Sequence, residues 1–103
     1  MEKLKTYHGE TFLEKEDLAE TNIKNKVQLE YYTIKEAKDK ENIYGIEVIK
    51  TEYKKNGTYQ EKNTRNDICD NSQKIIEIIN SLKENKVTPI GLNDVLDDLL
   101  KAN

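Results

Sequence analysis

Few residues in this 103-residue chain are of the types that do chemistry. His8 is the sole histidine and Cys69 the sole cysteine. An enzyme needs a nucleophile, a base or a metal held in a defined constellation. His8 sits in a stretch without sustained periodicity, so nothing there aims it as a general base. Cys69 precedes Asp70 and an apolar-periodic segment. Helix N-termini favour thiolates in general, which makes a reactive cysteine physically possible. With no second cysteine and no histidine nearby, the expectation is a small, partly buried residue at a strand–helix junction. Asp94, Asp97 and Asp98 fall on one helical face, but hard-cation sites usually gather more oxygen ligands, from loops. A solvated face is expected, with no metal and no cofactor. Asn56-Gly57-Thr58 matches the N-glycosylation pattern, which a hairpin turn explains without glycan chemistry. Walker and GxGxxG loops and Cys-x-x-Cys pairs do not occur, and four glycines leave little from which to build a phosphate cradle. No catalytic residue is assigned, and the chain is expected not to be an enzyme.

Charge narrows the classes further. The chain has 17 basic and 20 acidic residues, a net charge of −3 and a mean hydropathy of −0.91. Residues 70–103 carry 4 basic and 6 acidic side chains, and residues 27–69 carry 8 of each. Binding to phosphate backbones draws on concentrated positive charge, so nucleic acid is an unfavoured partner. The apolar set is 35% of the chain, polar for a globular domain but sufficient for a small core. Sixteen of the 17 basic residues are lysine, and Asn and Ile occur 11 times each, a bias that follows AT-rich codons. The first 20 residues hold no apolar signal core, and no run of 18 apolar residues occurs. A cytoplasmic location away from membranes is expected.

The elements that must position these residues follow from periodicity. Residues 1–26 are expected to be an N-terminal arm, partly disordered or adding a short edge strand at Leu4–His8. Thr11–Glu14 could start a short helix, and residues 21–25 favour a loop. Residues 27–103 are expected to form one α+β domain. Val27, Leu29 and Tyr31 alternate with Gln28 and Glu30, the period of a half-buried strand over 27–34. Residues 36–42 read as a solvated connection. A second strand covers 43–53, with Tyr44, Ile46 and Val48 on one face, and Gly45 within it marks a bulge or a close backbone approach. Asn56-Gly57 then signals a hairpin. A two-residue Asn56-Gly57 loop would set Glu52 opposite Glu61, a like-charge pair, so a three-residue loop that sets Tyr53 opposite Tyr59 is preferred. The third strand, about 58–67, is polar and suits a sheet edge.

Asp70 with Gln73 resembles a capping box ahead of a helix whose apolar stripe is Ile75, Ile76, Ile79 and Leu82. Asn85 suits a left-handed stop. In a second helix over 92–101, Leu92, Val95, Leu96, Leu99 and Leu100 share one face. Gly91 is placed at its N-cap, with Ile90 stapled onto Val95. The fold expected is a three-stranded antiparallel meander followed by two C-terminal helices packed on one sheet face.

Val27-x-Leu29-x-Tyr31-Tyr32, Tyr44-Gly45-Ile46-Glu47-Val48, the Ile75–Leu82 stripe and Asn85-Lys86-Val87-Thr88-Pro89 with its following helix resemble a family of small proteins. It occurs in clostridia and related Firmicutes and is catalogued as a domain of unknown function. The resemblance covers about residues 27–100, and the NKVTP segment is its most specific part. It implies provenance and domain limits and supplies no activity or site residues.

By elimination, the expected function is a non-catalytic protein-interaction or regulatory domain with a protein partner. The expected surfaces are the acidic helix face at Asp94, Asp97 and Asp98 and the hairpin bearing Tyr53 and Tyr59. The alternative is a nucleic-acid-associated regulator that uses the lysines at 50, 54, 55 and 62.

Overall fold

A computed structural model describes residues 3–14 and 25–101. Four strands, β1 (Lys3–Leu13), β2 (Lys26–Lys38), β3 (Glu41–Lys54) and β4 (Gly57–Cys69), precede two helices, α1 (Ser72–Glu84) and α2 (Leu92–Lys101). The strands form one antiparallel sheet in the order β1-β2-β3-β4. The meander therefore has four strands, where three were expected. The additional strand, Lys3–Leu13, comes from the N-terminal arm, for which partial disorder or a short edge strand at Leu4–His8 was expected. Its alternation is hidden because one extra residue, His8, interrupts the register between Tyr7 and Gly9. Thr11–Leu13, considered as a helix start, continue β1. The expected loop at 21–25 lies, except for Asn25, outside the described residues.

The two hairpins are tighter than their sequences suggest. β2 and β3 run through most of the polar 36–42 segment and join at Asp39-Lys40. Both residues have positive φ, 47° and 71°, as a two-residue turn matched to strand twist requires. The β3–β4 turn is Lys55-Asn56, with Lys54 opposite Gly57 and Glu52 opposite Tyr59. Neither expected register occurs. In the observed one Lys50 faces Glu61, so opposite charges are paired where the rejected alternative paired like ones. Gly57, at φ 137°, supplies the positive φ. At Gly45 the expected bulge is present. Tyr44 pairs with Cys69 and Ile46 with Arg65, so β4 bulges between them. A Cβ on Gly45 would sit 2.5 Å from the Arg65 carbonyl oxygen.

Alternation then sorts the strand residues into two faces. Val27, Leu29 and Tyr31 of β2 lie beside Ile46 and Val48 of β3, and all five are fully buried. Ile75, Ile78, Ile79 and Leu82 of α1 and Leu92 and Leu96 of α2 complete this core. The phase of α1 differs from expectation by one residue: Ile78 is buried, and Ile76 is exposed. The α1 N-cap is Asn71, not Asp70; its side chain accepts from the Lys74 backbone N–H at 2.9 Å. Asn85 keeps a negative φ, and Lys86 takes the left-handed conformation at φ 52°. Before α2, the Thr88 hydroxyl accepts from the Gly91 N–H and Gly91 O accepts from Val95 N–H, as an N-cap position should. Ile90 is 79% exposed and staples nothing.

α1 contacts all four strands. The helix-side residues of β4 reach the second helix and its approach. Asn63 donates to Pro89 O at 3.0 Å, and Arg65 donates to Asn93 and Asp97. The assembly measures 47 × 30 × 17 Å, its long dimension set by strands of 13 and 14 residues.

Candidate interaction face

The strand residues of the other parity look away from the helices. Both helices lie on the opposite side, so no described element covers this face. It is nonetheless organised. Tyr7 of β1 and Tyr32 of β2 are cross-strand partners, and their rings meet edge to face with centroids 5.5 Å apart. Lys5 Nζ lies 4.3 Å from the Tyr32 ring centroid. The same ammonium is 2.5 Å from Glu47 Oε1, an ion pair that holds this oxygen without an aligned hydrogen bond. Glu47 Oε2 accepts from the Thr64 hydroxyl at 2.7 Å. Side chains of β1 and β4 thus meet on one carboxylate of β3, whose cross-strand neighbour in β2 is Tyr32.

Glu47 is buried, although it stands on the uncovered face. Burial pushes its pKa up. The ion pair with Lys5, the hydrogen bond from Thr64 and the charge of Lys62 outweigh burial and hold the carboxyl below its ordinary range. The Tyr32 phenol is pushed up by burial, then by the charge and hydrogen bond of Glu30, to which it donates at 3.2 Å.

A second cluster lies toward the β3–β4 hairpin. Lys26 Nζ is 4.5 Å from the Phe12 ring centroid and 5.8 Å from that of Tyr53. The Tyr53 hydroxyl donates to Gln28, whose amide donates to Glu10. Two clusters of aromatic rings capped by lysines therefore occupy the uncovered face. Such rings offer large, rigid contact area with little entropy to lose, and lysine stems add apolar cover while their charges stay in water.

The residues singled out from sequence are dispersed. Tyr53 and Tyr59 are both exposed, but Tyr53 pairs with Thr58 and Tyr59 with Glu52, which puts the two rings on opposite faces of the sheet. Tyr59 carries Lys54 5.2 Å from its centroid on the helix side. Asp94, Asp97 and Asp98 are exposed on α2, and Asp97 accepts from Arg65 at 3.1 Å. Cys69 closes β4 and points its thiol 3.5 Å from Asn71 O. His8, at the β1 bulge, has Nε2 2.8 Å from the Thr33 hydroxyl, and its carbonyl accepts from Lys83. Burial, then the Lys83 charge, lowers its pKa. Among the described residues, no three His, Cys, Asp or Glu side chains are grouped to hold a metal ion. Among the same described residues, no helix is long and apolar enough to cross a membrane.

Sequence reasoning missed Lys5, Tyr7, Phe12, Tyr32 and Glu47 as a group. The available signal was that Tyr32 is out of phase with Leu29 and Tyr31 and so belongs to the other face of β2.

No curated protein and no solved structure matches the chain. Residues 10–102 match the model of a family described as a family of unknown function, DUF6514. The match begins inside β1 and so reaches further toward the N-terminus than the resemblance noted from 27–100. The chain, built as a four-stranded meander with two C-terminal helices, belongs to the DUF6514 family.

Proposed function

We propose that the protein is a small, non-catalytic interaction or regulatory domain of the cytoplasm, from a family found in clostridia and related Firmicutes. It binds a protein partner through the uncovered sheet face. The observation that carries this reading is the pair of lysine-capped aromatic clusters, Tyr7–Tyr32–Lys5 and Phe12–Tyr53–Lys26, on the face that the helices leave open. Aromatic residues are enriched where proteins meet partners, and mixed charge around them suits a protein surface better than a polyanion. Here Lys5 and Lys26 alternate with Glu10, Glu30 and Glu47, so the face has no single sign.

The nucleic-acid alternative draws less support from the geometry. Lys50 faces Glu61 on the helix side, Lys54 stacks over Tyr59 there, and Lys62, opposite Ile49, is on the other face. A single groove that tracks phosphates would need them together.

The test is affinity capture from cells of the source organism with the wild type and three variants, Tyr32→Ala, Tyr53→Ala and Tyr59→Ala. A partner retained by wild type and Tyr59→Ala but lost from both Tyr32→Ala and Tyr53→Ala supports the proposal. A partner lost only from Tyr59→Ala contradicts it.

A further inference from the structure

β1 is an edge strand, and an edge presents unpaired backbone N–H and C=O groups to any strand that can match it. Its sequence has an internal symmetry of charge. The extra residue His8 divides it into two segments of five residues, 3–7 and 9–13. The first carries Lys3 and Lys5, and the second carries Glu10. Antiparallel pairing with an identical strand therefore sets a basic segment against an acidic one, twice over, about a two-fold axis.

The bulge that protects many edges here brings the faces into agreement. Before it, odd-numbered residues point to the uncovered face: Lys5 opposes Ile34 and Tyr7 opposes Tyr32. After it, even-numbered residues do: Glu10 opposes Glu30 and Phe12 opposes Gln28. A register that places Lys5 opposite Glu10 of a second copy then keeps every partner on a common face. Lys3 meets Phe12, and Thr6 meets Gly9, with the two irregular positions at the axis. A strand without the bulge would put Lys5 and Glu10 on opposite faces.

We propose that β1 is the seam of a homodimer, pairing antiparallel with β1 of a second copy so that Lys5 of each chain faces Glu10 of the other. The sheet becomes eight-stranded, and its uncovered face runs without a break across the axis. Tyr7, 51% exposed, and Leu4, 59% exposed, gain neighbours from the second copy. The two Tyr7–Tyr32 pairs come together near the axis and double the aromatic surface. This inference stands whether or not that surface binds a further protein.

Sedimentation velocity over a concentration series tests it with the full chain, its Lys5→Glu and Glu10→Lys variants, and a mixture of the two. The wild type is expected to be dimeric, and each variant to weaken dimerisation by about tenfold by placing like charges opposite each other. The mixture should form a heterodimer with near-wild-type affinity, because both charge pairs are restored in it. Lys5 also holds Glu47, so a Lys5→Glu chain that fails to fold leaves Glu10→Lys and one further readout to decide. That readout is hydrogen exchange on the wild type, in which amides of 3–13 should gain protection as concentration rises while 57–69 do not. A wild type that stays monomeric at about 100 μM overturns the proposal. So does concentration-dependent protection confined to β4 or the helices, or a mixture of folded variants no tighter than either alone.

Discussion

The Tyr31 phenol, in the middle of β2, donates a 2.8 Å hydrogen bond to the backbone oxygen of Val87, 56 residues away in the connection between the helices. Tyr31 is fully buried, and burial pushes its phenol well above the ordinary range, so it remains a donor at any physiological pH. One bond thus ties the sheet to the point where α1 ends and the chain turns toward α2. Tyr31→Phe keeps the ring and strands the carbonyl. The expected loss is about 1–3 kcal/mol, the cost of an unsatisfied buried acceptor, read from urea melts.

The phase of α1 separates neighbouring isoleucines. Ile78→Ala should cost roughly 2–5 kcal/mol, because it removes packed methyl groups and leaves a cavity. Ile76→Ala, on the exposed side, should stay within about 0.5 kcal/mol. The same melts compare them, and equal losses would mean that the helix is rotated from the position described.

Acid should loosen the sheet in two windows. The His8 pKa is lowered from 6.5, so the folded chain resists a proton that the unfolded chain accepts. Its contribution is present above 6.5 and is lost as pH falls through the lower folded value. Glu47 is held below 4.5, so its contribution is present above 4.5 and is lost as pH falls through its own folded value. Urea midpoints measured near about pH 8, 5 and 3 should fall at each step. His8→Asn should flatten the upper window, and Glu47→Gln the lower.

Much of the fold was legible because period and burial agree. In β2, Val27, Leu29 and Tyr31 alternate and are buried, and in α2 the leucine stripe holds Leu92 and Leu96 in the core. Expectation failed where one residue shifts a phase. His8 breaks the alternation of β1 and made a full edge strand look like an arm. A two-residue Lys55-Asn56 turn replaces the preferred three-residue Lys55-Asn56-Gly57 loop, and that one-residue slip moved Tyr59 to the face opposite Tyr53. Ile76 and Ile78 are equally apolar, and only tertiary packing decides which faces the sheet. The lysine-capped aromatic face was illegible for a related reason. Its members come from β1, β2 and β3 and meet only once the registers are set.

Nucleic acid binding offers a separate check. Mixed-sequence DNA or RNA titrated by fluorescence anisotropy at two salt concentrations should show no affinity near physiological salt. Binding that weakens steeply with salt and disappears in a Lys54→Glu/Lys55→Glu variant would instead make the hairpin an electrostatic footprint.

If the uncovered face, and not the helix side, meets a protein partner, the two faces must differ in what they touch in the cell. Tyr53 and Tyr59 lie close in sequence and on opposite faces, so a photo-crosslinking residue that keeps an aromatic ring, placed at each position in living source cells, separates the two surfaces directly. A discrete crosslinked protein is expected from position 53 and none from position 59. A discrete adduct from position 59 alone would contradict that expectation.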